Sequence, residues 1–212
     1  MRRMFMYCLV VALLTPGLVT PAPAQEKPAE KPAAPAAAAP ATGARAEFLG
    51  QVAYFEGRFT RLAEAMPAEK YAWRPGEGVR SVGEVFAHVA AGNYMFLRML
   101  DVQPPAGVDP KAIMAGGNDK AKTVQALKDS FAFMQKSVTA LNDADLEKPA
   151  NFFGQKTTQR GVLFHIAAHL GEHLGQSIAY ARMNGVVPPW TADQQKKAKE
   201  KEQHKHDEQP EP

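Results

Sequence analysis

TQRGVLFHIAAHLGEHLGQSIAYARMN, residues 158–184, is the stretch from which the fold can be read. Leu163, Ile166, Leu170, Leu174 and Ile178 recur at steps of three and four. On a helix turning about 100° per residue they gather into one apolar arc. Gly185 and Pro188 end the pattern, as a helix C-terminus requires. Glu172 is the only charged residue between Gly161 and Ala181, so this helix is expected to be covered on most of its sides.

Three more segments carry the same period, and no segment reads as a convincing strand. Over 46–66, Phe48, Val52, Phe55, Phe59, Leu62 and Met66 form a single stripe that stops at Pro67. A second helix starts at Ser81, where S-V-G-E is a capping box, and runs to about Leu100. A Pro/Gly-rich connection, QPPAGVDPKAIMAGGND, leads to a third helix over 119–141, with Val124, Leu127, Phe131, Met134, Val138 and Leu141 as its stripe. Four amphipathic helices of about 20 residues are the parts of an all-α four-helix bundle. The long connections permit crossovers, so helix order in the bundle stays open.

His165, His169 and His173 are three of the chain's six histidines, and they stand four residues apart. Each step turns about 40° and rises about 6 Å. Adjacent pairs can share one ion, but the outer pair, roughly 12 Å apart along the axis, cannot. With His165 at 0°, the apolar arc centres near about 160°, His173 lies at about 80° and His169 at about 40°. His169 and His173 are therefore the expected inward pair, with Gln176 beside them. A third ligand must come from another helix. His88, at the edge of the second helix's stripe in EVFAHVAAGNYMF, is the candidate. Two histidines on one helix and one on a neighbour suit a divalent cation that keeps an open position.

His169-Leu170-Gly171-Glu172-His173 also fits the inverted zinc-protease pattern H-x-x-E-H. That pattern belongs to a much larger mixed α/β domain, and only a short charged tail follows Pro189. Glu172 and Gln176 remain the candidates for proton chemistry, with Tyr94 and Tyr180 behind them. Ala168, Gly171, Gly175 and Ala179 form a stripe of small residues suited to close packing, within the bundle or across a homodimer.

The ends of the chain lie outside this core. MRRMFMYCLVVALLTPGLVTPAPA, residues 1–24, has two arginines, a short apolar run and Ala22-Pro23-Ala24, the features of a secretory signal peptide cleaved after Ala24. Periplasmic or secreted location follows, with no membrane anchor left after cleavage. Cys8, the single cysteine, leaves with the leader, so histidine and carboxylate carry the chemistry. Removing Arg2 and Arg3 takes the formal charge from +3 to +1. Most of the surplus lysine sits in the tail, and no basic face is left over for nucleic acid. Residues 25–44 are a Pro/Ala-rich linker and 193–212 a charged tail, both expected to be disordered, around a domain of 45–192. His204 and His206 read as solvated members of the tail.

Taken in order, MPAEKYAWRP (66–75), SVGEVFAH (81–88), HLGEHLGQ (169–176) and NGVVPP (184–189) resemble the DinB-like family, unrelated to the DNA polymerase of that name. The resemblance implies a four-helix bundle holding a divalent metal, commonly zinc or nickel, through His88, His169 and His173. It also implies kinship with thiol-dependent transferases or isomerases, and the expectation for this chain is a metal-dependent hydrolase or thiol-dependent transferase acting on a small molecule. This chain departs from the family in having Leu174 where arginine is common before Gly-Gln, and in carrying an export signal.

Overall fold

In the computed structural model, residues 40–207 are described. The segment read as a signal peptide and nearly all of that read as a linker, residues 1–39, lie outside the described residues, as do 208–212. Among the described residues, four long helices form the bundle: α1 (Gly43–Ala65), α2 (Val82–Leu97), α4 (Lys120–Ala140) and α5 (Gln159–Met183). α1 begins inside the segment read as linker. The stripe residues of α1 are buried throughout, and those of α4 are buried at Leu127, Phe131, Met134 and Val138. Phe59 centres the core, stacked on Phe131 and edge-on to Phe86. No helix among these residues is long and apolar enough to cross a membrane.

The capping box at the start of α2 forms as the sequence suggests. Ser81 Oγ accepts from the Glu84 amide at 3.2 Å, and the Glu84 carboxylate accepts from the Ser81 amide at 2.7 Å. Gly83, the third residue of the box, is required for a different reason. A Cβ there would stand 1.9 Å from the carbonyl oxygen of Gly117, so α2 and the 116–119 turn meet backbone to backbone.

Helix order is the feature that places the site. α2 packs on α4 and α5, and α1 packs on the same two helices, whereas α1 scarcely touches α2. Consecutive α1 and α2 therefore sit diagonally opposed, and the order around the bundle is α1, α4, α2, α5. The buried Arg45 side chain ties the start of α1 to the turn after α4, through Asp143 at 2.7 Å and the Thr139 carbonyl at 2.8 Å.

Three segments differ from the sequence reading. Within the Pro/Gly-rich connection, Pro110–Ala115 forms a short helix, α3, capped by Asp109 and started by Pro110. Between α4 and α5 there is an antiparallel hairpin, β1 (Pro149–Phe152) and β2 (Gln155–Thr158). Its turn has Phe153 at φ 49° and Gly154 at φ 90°, the left-handed pair of a tight hairpin loop, and Asn151 Oδ1 accepts from the Gly154 amide. The usual Asn or Asp is replaced by Phe at the first turn position, which hides the hairpin from sequence. Finally, residues 193–207 of the segment read as a disordered tail are helical: α6 (Pro189–Asp207) is exposed from Ala192 to His204 and touches the bundle near its start, where Arg58 of α1 lies over Trp190. From Ala192 to His204 it buries nothing, as its composition implies.

Candidate metal centre

α2 and α5 run antiparallel, and their facing residues pair in steps of four. His88 meets His173, with ring centroids 4.7 Å apart; Gly92 faces His169; Phe96 packs edge-on against His169 at 4.8 Å. His88 also reaches His169, bringing the two Nε2 atoms to 3.2 Å. The ligating nitrogens of His88, His169 and His173 all lie within 4.8 Å of one another. Among the described residues they are the one set of three or more histidine, cysteine or carboxylate side chains that converges in this way.

The donor set fits a cation. Nitrogens bound to one tetrahedral ion at about 2.0–2.1 Å stand roughly 3.3 Å apart, close to the measured His88–His169 separation. The rings of His88 and His169 also carry their lone pairs at neutral pH. Burial, with the charges of Arg80 and His173 adding to it, lowers His88 from 6.5 to about 4. Burial, then His173, His88 and Arg80, lowers His169 to about 3. Desolvation therefore keeps His88 and His169 neutral at neutral pH.

One ligand is oriented from behind. His173 Nδ1 donates to Gln176 Oε1 at 2.8 Å, which leaves Nε2 free to face the other rings, and Gln176 Nε2 donates to the Tyr180 hydroxyl at 3.0 Å. Trp73 packs edge-on against Tyr180 and holds that end of the chain. By contrast, Nδ1 of His88 and Nδ1 of His169 are buried without a hydrogen-bond partner. Packing alone sets those two rings.

The hairpin supplies the apolar wall. Phe152 stacks on Phe96 and lies parallel to the His165 ring at 4.0 Å, so His165 is taken up by aromatic packing outside the cluster. Glu172 is exposed, and its carboxylate is not among the side chains that converge at the centre. Tyr94 is buried against Phe133 of α4, away from the centre. Ala168, Gly171, Gly175 and Ala179 are exposed, so packing within the bundle does not account for this stripe.

Gly92 and Arg80 escaped the sequence reading. Gly92 interrupts a helical pattern without any turn signal, which is the mark of a close approach. Arg80 lies between two quoted motifs in an unpatterned loop, and nothing in the sequence places it near His88.

The DinB superfamily model matches residues 51–177, a span that includes all three histidines. The chain belongs to the DinB superfamily. Two solved structures share the DinB bundle. A DinB-like protein from Bacillus cereus is 16% identical with a TM-score of 0.60, the match covering 67% of this chain and 93% of that one. YfiT from Bacillus subtilis, a probable metal-dependent hydrolase with an unusual four-helix bundle topology, is 15% identical with a TM-score of 0.54, covering 68% and 89%. At these identities the likeness concerns the fold. No curated protein matches the chain.

Proposed function

We propose that this DinB protein is an exported metal-dependent enzyme, a hydrolase in the first instance, whose cation is held by His88, His169 and His173. The carrying observation is the meeting of three imidazoles from two helices, with two of their nitrogens 3.2 Å apart and no fourth protein ligand in the cluster. An all-nitrogen set without thiolate or carboxylate favours zinc or nickel over magnesium or calcium. When bound, such an ion supplies Lewis-acid activation of a water or a small-molecule thiol.

The chain's own residues supply the rest. His88 and His169 offer lone pairs because burial strips their protons, and Gln176 turns His173 toward them. Phe96 and Phe152 keep water from one flank, while the His88 side opens on a cleft. The leader peptide supports export to the periplasm or beyond, where low-molecular-weight thiols are scarce, and that favours hydrolysis over thiol transfer. N-terminal sequencing of the exported chain should begin at Gln25.

Mature protein made without a histidine tag or chelator should carry about one divalent ion per chain and lose it in His169→Ala, and added zinc or nickel should raise the melting temperature of the stripped protein. Absence of stoichiometric metal together with an unchanged melting temperature overturns this reading. A second reading, a non-catalytic metal-binding bundle that dimerises, is favoured by the exposed small-residue stripe with Phe164 at its end, 69% exposed. Tight metal, no turnover across ester, amide and thiol-acceptor panels, and concentration-dependent sedimentation would select it.

A further inference from the structure

The His88 side of the centre opens into a cleft of about 330 Å³, lined by Arg74, Val79, Arg80, Glu84, His88 and Met114 among others. Two arginines and one carboxylate stand at its edge, and their states differ. Arg74 donates to the Val79 carbonyl at 2.9 Å and to Glu84 Oε1 at 3.1 Å. Glu84 is also held by the Ser81 amide, so its charge is committed to the capping box and to Arg74. Arg80 has neither an ion pair nor a hydrogen bond to the described residues. It lines the same cleft as His88.

The backbone that carries Arg80 is well anchored. The Val82 amide donates to the Trp73 carbonyl and the Gly83 amide to the Tyr71 carbonyl, both at 2.9 Å, and the Val79 amide donates to Gly76. Arg80 immediately precedes the N-cap of α2, whose seventh residue is His88. A cation beside an open metal-binding face, with the neighbouring carboxylate already neutralised, selects by sign.

Building on the metal-centre reading above, we propose that Arg80 is a specificity residue: the substrate carries, beside the group that reaches the cation, a second anionic group, a carboxylate, sulfonate or phosphate, that pairs with the Arg80 guanidinium. An exposed charge pair of this kind contributes about 2- to 5-fold in affinity at low ionic strength and less as salt screens it.

The test uses the full mature chain loaded with cobalt(II), whose absorption reports what enters its coordination sphere. Two thiols with one donor atom are compared, 2-mercaptoethanesulfonate and the neutral 2-mercaptoethanol; a sulfonate is itself a poor metal ligand. Wild type should bind the sulfonate about 2- to 5-fold more tightly, Arg80→Gln should bring that ratio to about 1, and Arg80→Lys should keep part of it. Arg160→Gln, the same loss of charge in the groove between α1 and α5, should leave it unchanged. Equal affinities in wild type, or a ratio that survives Arg80→Gln, overturns the assignment of Arg80. Failure to take up cobalt, or the absence of a thiolate band with either thiol, instead overturns the metal centre and the inference with it, since the neutral thiol reports the centre independently of Arg80.

Discussion

Gly92 of α2 faces His169 of α5 so closely that a Cβ at residue 92 would lie 3.1 Å from the imidazole Cε1 and 3.6 Å from Nε2. The ring occupies the space a side chain would take. Gly92→Ala should therefore displace His169 and weaken metal binding by about 10-fold or more. Helix propensity runs the other way, favouring alanine by up to about 1 kcal/mol, so the stripped protein should not lose stability to match. Chelator competition and urea denaturation of the same sample separate the two effects; unchanged affinity would show that the ring does not depend on this gap.

Gln176 acts on the centre through His173. Gln176→Ala removes the acceptor for Nδ1 and should lower metal affinity by about 10-fold, while Gln176→Glu keeps an acceptor there and should retain most of it. Equal losses in both variants would mean that the contact does not orient the ring.

Protonation should oppose the fold of the metal-free protein. His88 is lowered to about 4 and His169 to about 3, against 6.5 for both in the unfolded chain. Between those values the unfolded state binds more protons. Stability is therefore full above the unfolded value and is lost as pH falls from there toward the folded values. Urea unfolding at about pH 7 and about pH 5, a range where most carboxylates remain ionised, should show the decline, and the double variant His88→Gln/His169→Gln should flatten it.

Two glycine substitutions should have opposite signs. Gly83→Ala forces a methyl into the Gly117 carbonyl and should cost about 2 kcal/mol or more. Gly175→Ala lies on the exposed face of α5 with nothing within 4 Å of the new Cβ, and should stabilise by up to about 1 kcal/mol. Midpoints of denaturant unfolding, at constant slope, check both.

Much of this protein is local in origin, and that part the sequence determined by itself. The stripes from Phe48 to Met66 and from Leu163 to Ile178, the Ser81–Glu84 box and the orientation of His169 and His173 toward the apolar arc all follow from the period of a helix and the reach of nearby groups. Such properties need no partner segment. The tertiary structure decided what depends on distant segments meeting: α1 opposed diagonally to α2, α2 laid antiparallel on α5 so that residues 88 and 92 face 173 and 169, and Arg80 brought to the His88 cleft. The hairpin belongs there too, because Phe153 adopts a left-handed conformation that its own side chain does not favour, and packing of Phe152 against Phe96 and His165 holds the segment in place. Helix period states which face of a segment is buried; the crossing and order of helices, set by how their surfaces interlock, state what that face meets.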